Sequence, residues 1–464
     1  GDEIFAVLSK TDEVHQSVPF GESNALTEQF GHAHAASSMV SMAAATLSLQ
    51  HAKLPEGQPW LATAQRQASV QSQDMVGRTS RLVIQEAQRE QKAQWSEPFQ
   101  LRVFSGTTSE EVLQNLAKGK EGSEGPARLV ILSASEEEFA KRAQKARLHI
   151  EKGLPAGEGI HFRSQPLEGE LAFVFSGAGA AYQGMGKDLL LSFPDLSKDL
   201  GKRFSKLPEV TDWIYRDEPQ QPDVLEKLWG SSAICQLHAE LSQKVLGLKP
   251  SAAIGYSSGE SNALFAMGAW TDMDAMIEEG NQSGLFDKKL GGDFSVLKEM
   301  WGEQASWSVW TILAPIEEVK AALEQEEKAH LAIIHTPNDC VIGGEKGACA
   351  RIVEQIGRKR CFRLHYDLVV HTPELSQVQE EWLKLHRRQV QTCEDVFFYS
   401  NGLQNAYVPD TEASAQAIYN QAHQTLDFTK TIQQAWEDGI RIFVEHGPQN
   451  ACSRWISDIL KDKE

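Results

Sequence analysis

The sequence is poor in cysteine, in long apolar runs and in positive charge. Its six cysteines (Cys235, Cys340, Cys349, Cys361, Cys393 and Cys452) are scattered through the second half of 464 residues with no CxxC pair. That spacing argues against a zinc ribbon, a redox dithiol or a disulfide framework and fits a reduced, cytoplasmic setting. No stretch approaches the roughly 20 apolar residues that span a bilayer. The opening GDEIFAVLSK has no basic region leading into an apolar core, so neither a membrane span nor an export signal is expected. The first residue is Gly rather than Met, which suggests a domain cut from a longer polypeptide. Only 45 Lys and Arg stand against 64 Asp and Glu, a formal charge of −19. A broad basic face for nucleic acid is therefore not expected, and an anionic partner needs a local basic patch.

What is present is an ordinary globular composition, 41% hydrophobic and 23% charged, over a length that exceeds one hydrophobic core. Residues 31–50 (GHAHAASSMVSMAAATLSLQ) are small and apolar and read as a tightly packed buried helix. A polar, Gln-rich stretch follows from Trp60 to Trp95. FQLRVF (99–104) and RLVILS (128–133) read as strands. Each precedes a helix, Ser109 to Lys118 and Ser135 to Lys152, the second opened by a capping box at Ser135 and Glu138. GKEGSEG (119–125) between them is loop by composition. From Glu170 onward, apolar strands run directly into glycine turns and amphipathic helices, the alternation of a parallel α/β sheet. LAFVF leads into SGAGAAYQGMG, AAIGYSS into a helix at Gly259, and RIFVE into HGPQNACSRWISDIL, so three loops are placed to converge at the strand ends. Between them WSVWTILA, a helix, the hairpin LAIIHTPNDCVIGG, a second helix and CFRLHY give the order β-α-β-β-α-β of a ferredoxin-like unit.

The pattern Gly255-Tyr256-Ser257-Ser258-Gly259 is G-x-S-x-G between a strand and a helix, the context in which a tight turn lifts a serine hydroxyl above the sheet edge. The amide after it, that of Ser258, then points at a developing oxyanion. The plainer reading is a Gly/Ser-rich turn. A serine needs a base, and of 14 histidines His371 is the first choice, because LVVHTPEL follows the last strand of the inserted unit and begins a helix. His335, His365 and His446 are its rivals.

SGAGAAYQGMG resembles FPGQGSQ-x-x-GMG, GYSSGE resembles GHSxGE, LVVHTPEL resembles HAFHSPLM, and FVEHGPQN resembles FVExGP. In this order they are the motifs of malonyl-type acyltransferase domains, and the resemblance covers about Leu171 to Leu460. It implies that Ser257 is the acyl nucleophile, His371 its base, and the amides of Ala178 and Ser258 the oxyanion hole. It also implies an acyl carrier protein partner and a phosphopantetheine-linked acyl thioester, of coenzyme A or carrier protein, as substrate, with no bound cofactor and no metal. Residues 30–55 (FGHAHAASSMVSMAAATLSLQHAKLP) resemble the end of a ketosynthase or chain-length factor, as in multidomain synthases with further domains or subunits. Tyr256, Ser258-Gly259-Glu260 and the Trp-rich stretch Trp301 to Trp310 are most similar to acyltransferases of polyunsaturated fatty acid synthases.

Departures from the motifs bear on the substrate. Malonyl-selective members carry an Arg about 25 residues after the serine, a bidentate partner for the free carboxylate. Ungapped counting places Gln282 there, and no Arg occurs between Ser257 and Arg351. The selectivity loop reads Leu368-Val369-Val370-His371. Gln282, Tyr256, Val370 and His335 are the expected substrate contacts, and an uncharged, possibly long acyl chain is favoured. His335 or a lysine would have to replace the Arg for malonyl. Arg358, Lys359, Arg360 and Arg363 form a basic cluster suited to docking an acidic carrier, although charge runs are usually solvated faces; Arg387-Arg388 form another. His32 falls where a ketosynthase places a histidine, but that enzyme's cysteine motif is missing, so His32 and His34 read as packing.

The expected fold class is therefore α/β. Residues 1–65 are a ketosynthase-like remnant and 66–169 a small α/β linker. Residues 170–304 and 368–464 form an α/β-hydrolase-like parallel-sheet acyltransferase part, and 305–367 an inserted ferredoxin-like subdomain. A Ser-His acyltransferase is the leading function. An acyl thioester hydrolase, a malonyl transacylase and a docking scaffold with lapsed catalysis are its rivals.

Overall fold

The computed structural model describes residues 6–8, 18–20, 37–62, 64–73, 79–87, 100–216, 221–393 and 395–463. The chain divides into two compact units, residues 90–169 in one and residues 1–89 with 170–464 in the other.

In the larger unit, β1 (Ala6–Leu8), β2 (Val18–Phe20), β3 (Gln67–Gln73) and β4 (Thr79–Glu86) form a sheet of order β1-β4-β3-β2. The expected boundary at residues 65/66 thus falls inside a structure whose strands come from both sides of it, and the division lies at 89/90. The polar Gln-rich stretch supplies two of those strands because alternate residues (Ala68, Val70, Ile84) are apolar and face Leu49 and Trp60. Buried Arg66 ties this sheet to the chain beyond residue 170, bonding Glu86 (2.9 Å) and the Pro194 carbonyl (3.1 Å). The Ala-rich helix spans Ser37–His51 and buries only the stripe Ser41, Ala45, Ser48 and Leu49, leaving Met39 67% and Leu47 55% exposed. It is half-buried rather than wholly buried, since its apolar residues occur all round but only one stripe has a sheet to meet. His32 and His34 lie outside the described residues.

The smaller unit pairs β5 (Gln100–Gly106), β6 (Ala127–Ser133) and β7 (Ile160–Arg163) antiparallel, with helices Ser109–Lys118 and Glu136–Lys152. Ser135 Oγ accepts from Glu138 N, one half of the expected capping box, while the Glu138 carboxylate accepts from Ala134 N (2.7 Å) instead of the Ser135 amide.

The sheet that carries the glycine turns has the order β15-β14-β9-β8-β17: β8 (Glu170–Phe175), β9 (Ala252–Gly255), β14 (Phe397–Ser400), β15 (Asn405–Tyr407) and β17 (Ile440–His446). Four strands are parallel and β15 is an antiparallel edge. In β8, Phe173 and Phe175 face one core and Ala172 and Val174 the other. A strand covered on both faces reads as an unbroken apolar run for that reason. The insert forms β10 (Ser308–Ile312), β11 (Ala329–Thr336), β12 (Asp339–Gly344) and β13 (Cys361–Leu364) in the order β13-β10-β12-β11, all antiparallel, which is the ferredoxin-like arrangement. A fifth strand, β16 (Leu426–Asp427), joins parallel to β11 from outside the insert and links it to the main body. Among the described residues no helix is long and apolar enough to cross a membrane.

Candidate active site

The elbow after β9 is built by steric exclusion. A Cβ on Gly255 would lie 2.1 Å from Glu260 N, and one on Gly259 would lie 2.1 Å from the Phe175 carbonyl, so no other residue fits either position. Between them Ser257 is held at φ 57°, a left-handed conformation that costs about 1–3 kcal/mol outside glycine. Ser258 lies at the N-terminus of helix Gly259–Ala266, where the helix dipole favours negative charge. Below it Glu260 Oε1 accepts from both the backbone and the side-chain amide of Asn401 (2.8 Å each), and burial pushes the Glu260 carboxyl up to about 7.

Across the cleft His371 also has a left-handed backbone, φ 60°. Its amide donates to the Ala422 carbonyl (2.5 Å) and its Nδ1 lies 2.6 Å from the Gln421 carbonyl. A carbonyl can only accept, so the proton is on Nδ1 and Nε2 is a lone-pair acceptor. That Nε2 lies 2.8 Å from Ser257 Oγ. Burial pushes the imidazole down to about 4, against the opposing effect of the Gln421 carbonyl, so it is a neutral base at pH 7. The Ala178 amide, at the end of β8, donates to Ser258 Oγ (3.1 Å), which brings the two expected oxyanion-hole residues together.

Among the described residues no rival to His371 is hydrogen-bonded to Ser257. His446 is buried against Phe173 and Phe175 with Nε2 on Ser242 Oγ (3.0 Å). His365 is exposed, and its carbonyl accepts from Lys227 Nζ. His335 bonds Tyr256 OH (2.7 Å) and Asp339 (3.0 Å) and stacks on Trp455 at 3.8 Å, clamping the elbow residue to the insert. Glu374, just beyond His371, bonds His330 of β11 (2.7 Å) in the same way.

Ser257 and His371 open onto a cavity of about 410 Å³ that runs among the helices, its wall formed by Trp229, Phe265, Met273, Met276, Phe286 and Trp382. Tyr256, Val370 and His335 line it as expected. Gln282 does not. It is exposed on helix Met273–Ser283, whose inward turn presents Met273 and Met276 instead, because ungapped counting placed the wrong helix face toward the cavity. No Arg lines the cavity among the described residues, and Lys227 is its one permanent cation. In the basic cluster, Arg358 and Lys359 are exposed, whereas Arg360 grips Glu318 and Arg363 bonds Asp367 within the insert.

Sequence reasoning missed what acts through backbone or through distant side chains. The Gln421 carbonyl that orients His371 leaves no residue-type signal. Asp339 behind His335 was visible only as a partner four residues away. The apolar wall comes from segments whose helical periodicity marks them simply as core.

A family model described as "Acyl transferase domain" matches residues 172–464. Among curated proteins the chain is 24% identical over 306 residues to Erythronolide synthase EryA2 of Saccharopolyspora erythraea, covering 63% of this chain and 8% of that protein. It is 22% identical over 390 residues to a polyunsaturated fatty acid synthase polypeptide of Thraustochytrium sp., covering 75% of this chain and 19% of the relative. The chain therefore spans less than a fifth of either. Among solved structures, the acyltransferase domain from module 8 of the salinomycin polyketide synthase has a TM-score of 0.64 at 20% identity, covering 79% of this chain and 89% of that one. The malonyl-CoA:acyl carrier protein transacylase of Xanthomonas oryzae pv. oryzae has a TM-score of 0.53 at 19% identity, covering 64% and 93%. These two likenesses establish the fold.

Proposed function

Given that the chain belongs to the acyl transferase domain family, we propose that it transfers an uncharged, long acyl group between thioesters through an acyl-Ser257 intermediate. The observation that carries this reading is the 2.8 Å contact of Ser257 Oγ with His371 Nε2 at the mouth of an apolar cavity. As Oγ attacks the thioester carbonyl, its proton passes to Nε2. The oxyanion takes hydrogen bonds from the Ser258 and Ala178 amides, the latter exchanging Ser258 Oγ for the new acceptor. Collapse breaks the carbon–sulfur bond and His371 returns its proton to the leaving thiolate. A second thiol, deprotonated by His371, then attacks the ester and leaves with the acyl group, restoring Ser257. The donor is a phosphopantetheine thioester and the acceptor a phosphopantetheine thiol, each of coenzyme A or of an acyl carrier protein, within a synthase of the polyketide or polyunsaturated fatty acid type. Arg358 and Lys359 are the exposed cations for carrier docking.

The cavity's lining favours the uncharged chain: a buried carboxylate without a partner costs several kcal/mol, and Lys227, held by the His365 carbonyl, is the sole fixed cation among the described lining residues. Intact-mass measurement after mixing with dodecanoyl, acetyl and malonyl thioesters tests the reading. Dodecanoylation of Ser257, discharged by carrier thiol, is expected. Malonylation as fast as dodecanoylation would overturn the substrate class, and acid release faster than transfer would make the chain a hydrolase.

A further inference from the structure

His386 closes helix Gln379–His386 and lines the same cavity as Ser257, yet the catalytic steps do not use it. It is 3% exposed. Its Nδ1 lies 2.7 Å from the Trp382 carbonyl one turn back, which fixes the proton on Nδ1 and leaves Nε2 as a bare acceptor. Among the described residues no hydrogen bond reaches that Nε2. The ring is neutral, since burial pushes it down to about 4, against the opposing effect of the Trp382 carbonyl. The charged group nearby, Arg388, is taken up by Asp272, Glu279 and the Leu385 carbonyl. Trp382 lies beside it with ring centroids 5.0 Å apart, and its indole N–H is buried without an acceptor. An aromatic wall runs from Trp229 through Phe286 to Trp382. The indole N–H is sealed from the cavity, and Nε2 is the unmatched polar atom that faces it.

We propose that His386 Nε2 forms a hydroxyl-reading subsite, so that the preferred acyl chain carries a hydroxyl partway along its length. Ligand pockets of this kind are mostly apolar, with a few placed polar groups that set orientation. A hydroxyl donates to Nε2 and satisfies it. A methylene and a ketone have no proton to give Nε2, and a carboxylate finds no cation here. The inference rests on the acyl-enzyme reading above and assigns that enzyme's substrate more narrowly.

The test compares Ser257 acylation rates by dodecanoyl-coenzyme A and by hydroxydodecanoyl isomers with the hydroxyl walked along the chain. One isomer is expected to react about tenfold faster than the unsubstituted chain, the weight of one buried hydrogen bond. His386→Phe should erase that preference while dodecanoyl still reacts. His386→Gln, which keeps an acceptor, should retain part of it. Equal rates for all isomers, or a preference that survives His386→Phe, would overturn the subsite and leave the acyl-enzyme reading standing. Absence of any adduct from any thioester would overturn both.

Discussion

The two ends of the cavity are made differently. At the reacting end, position is set by main chain: left-handed backbone at Ser257 and His371, glycines where a Cβ would stand 2.1 Å from a neighbour, and the Gln421 carbonyl behind the imidazole. Along the apolar wall, position is set by side-chain volume, with Met273, Met276, Phe286 and Trp382 filling space among helices. Backbone geometry admits few residue types, whereas volume admits many, so substitutions at the two ends should fail in different ways.

The contrast can be broken most severely at the reacting end. Ser257→Ala should abolish the acyl adduct seen by mass, and His371→Ala should slow acylation by about 10²–10⁴-fold with binding retained. Gly259→Ala, which touches no substrate, should destabilise the fold by about 3 kcal/mol or more, read by urea unfolding, because its Cβ meets the Phe175 carbonyl. A wall substitution should behave otherwise. Met276→Trp should cost dodecanoyl transfer roughly 10–200-fold while sparing acetyl transfer, since it removes chain space and no reacting group. If acetyl transfer falls equally, the wall is not separable from the chemistry.

Two pH profiles sharpen the same division by smaller amounts. With His371 at about 4, kcat/KM for acylation should stay flat down to pH 5 and fall only as pH drops through about 4, rather than through the ordinary histidine range. Glu260 shows the opposite sign. Its folded value, about 7, lies above the ordinary 4.5, so its contribution to stability is complete below pH 4.5 and is lost as pH rises through 7. Glu260→Gln should remove that loss, on the order of 3 kcal/mol, from the pH dependence of unfolding.

The same division explains what the sequence disclosed. Ser257, His371, Ala178 and Ser258 sit in motifs because the elbow and its facing loop tolerate few residues, and the ferredoxin-like insert was legible from its alternation of helix and strand. The cavity wall was not legible. Trp382 and Met276 look like any core residue, and Gln282 came forward only because a count along the chain ignores which helix face turns inward. The boundary near residue 65 was missed because β3 and β4 pair with strands some fifty residues or more upstream, and pairing of that range leaves no local mark.

The short strand β16 has a mechanical consequence. Leu426 and Asp427 are hydrogen-bonded to Ile333 and Ile334 of the insert, a few residues beyond the Gln421 and Ala422 carbonyls on which the imidazole is mounted. The insert and the carbonyls that hold the imidazole are thus joined through a few residues of continuous chain, so the hydrogen bonds of one short strand help fix where the imidazole stands.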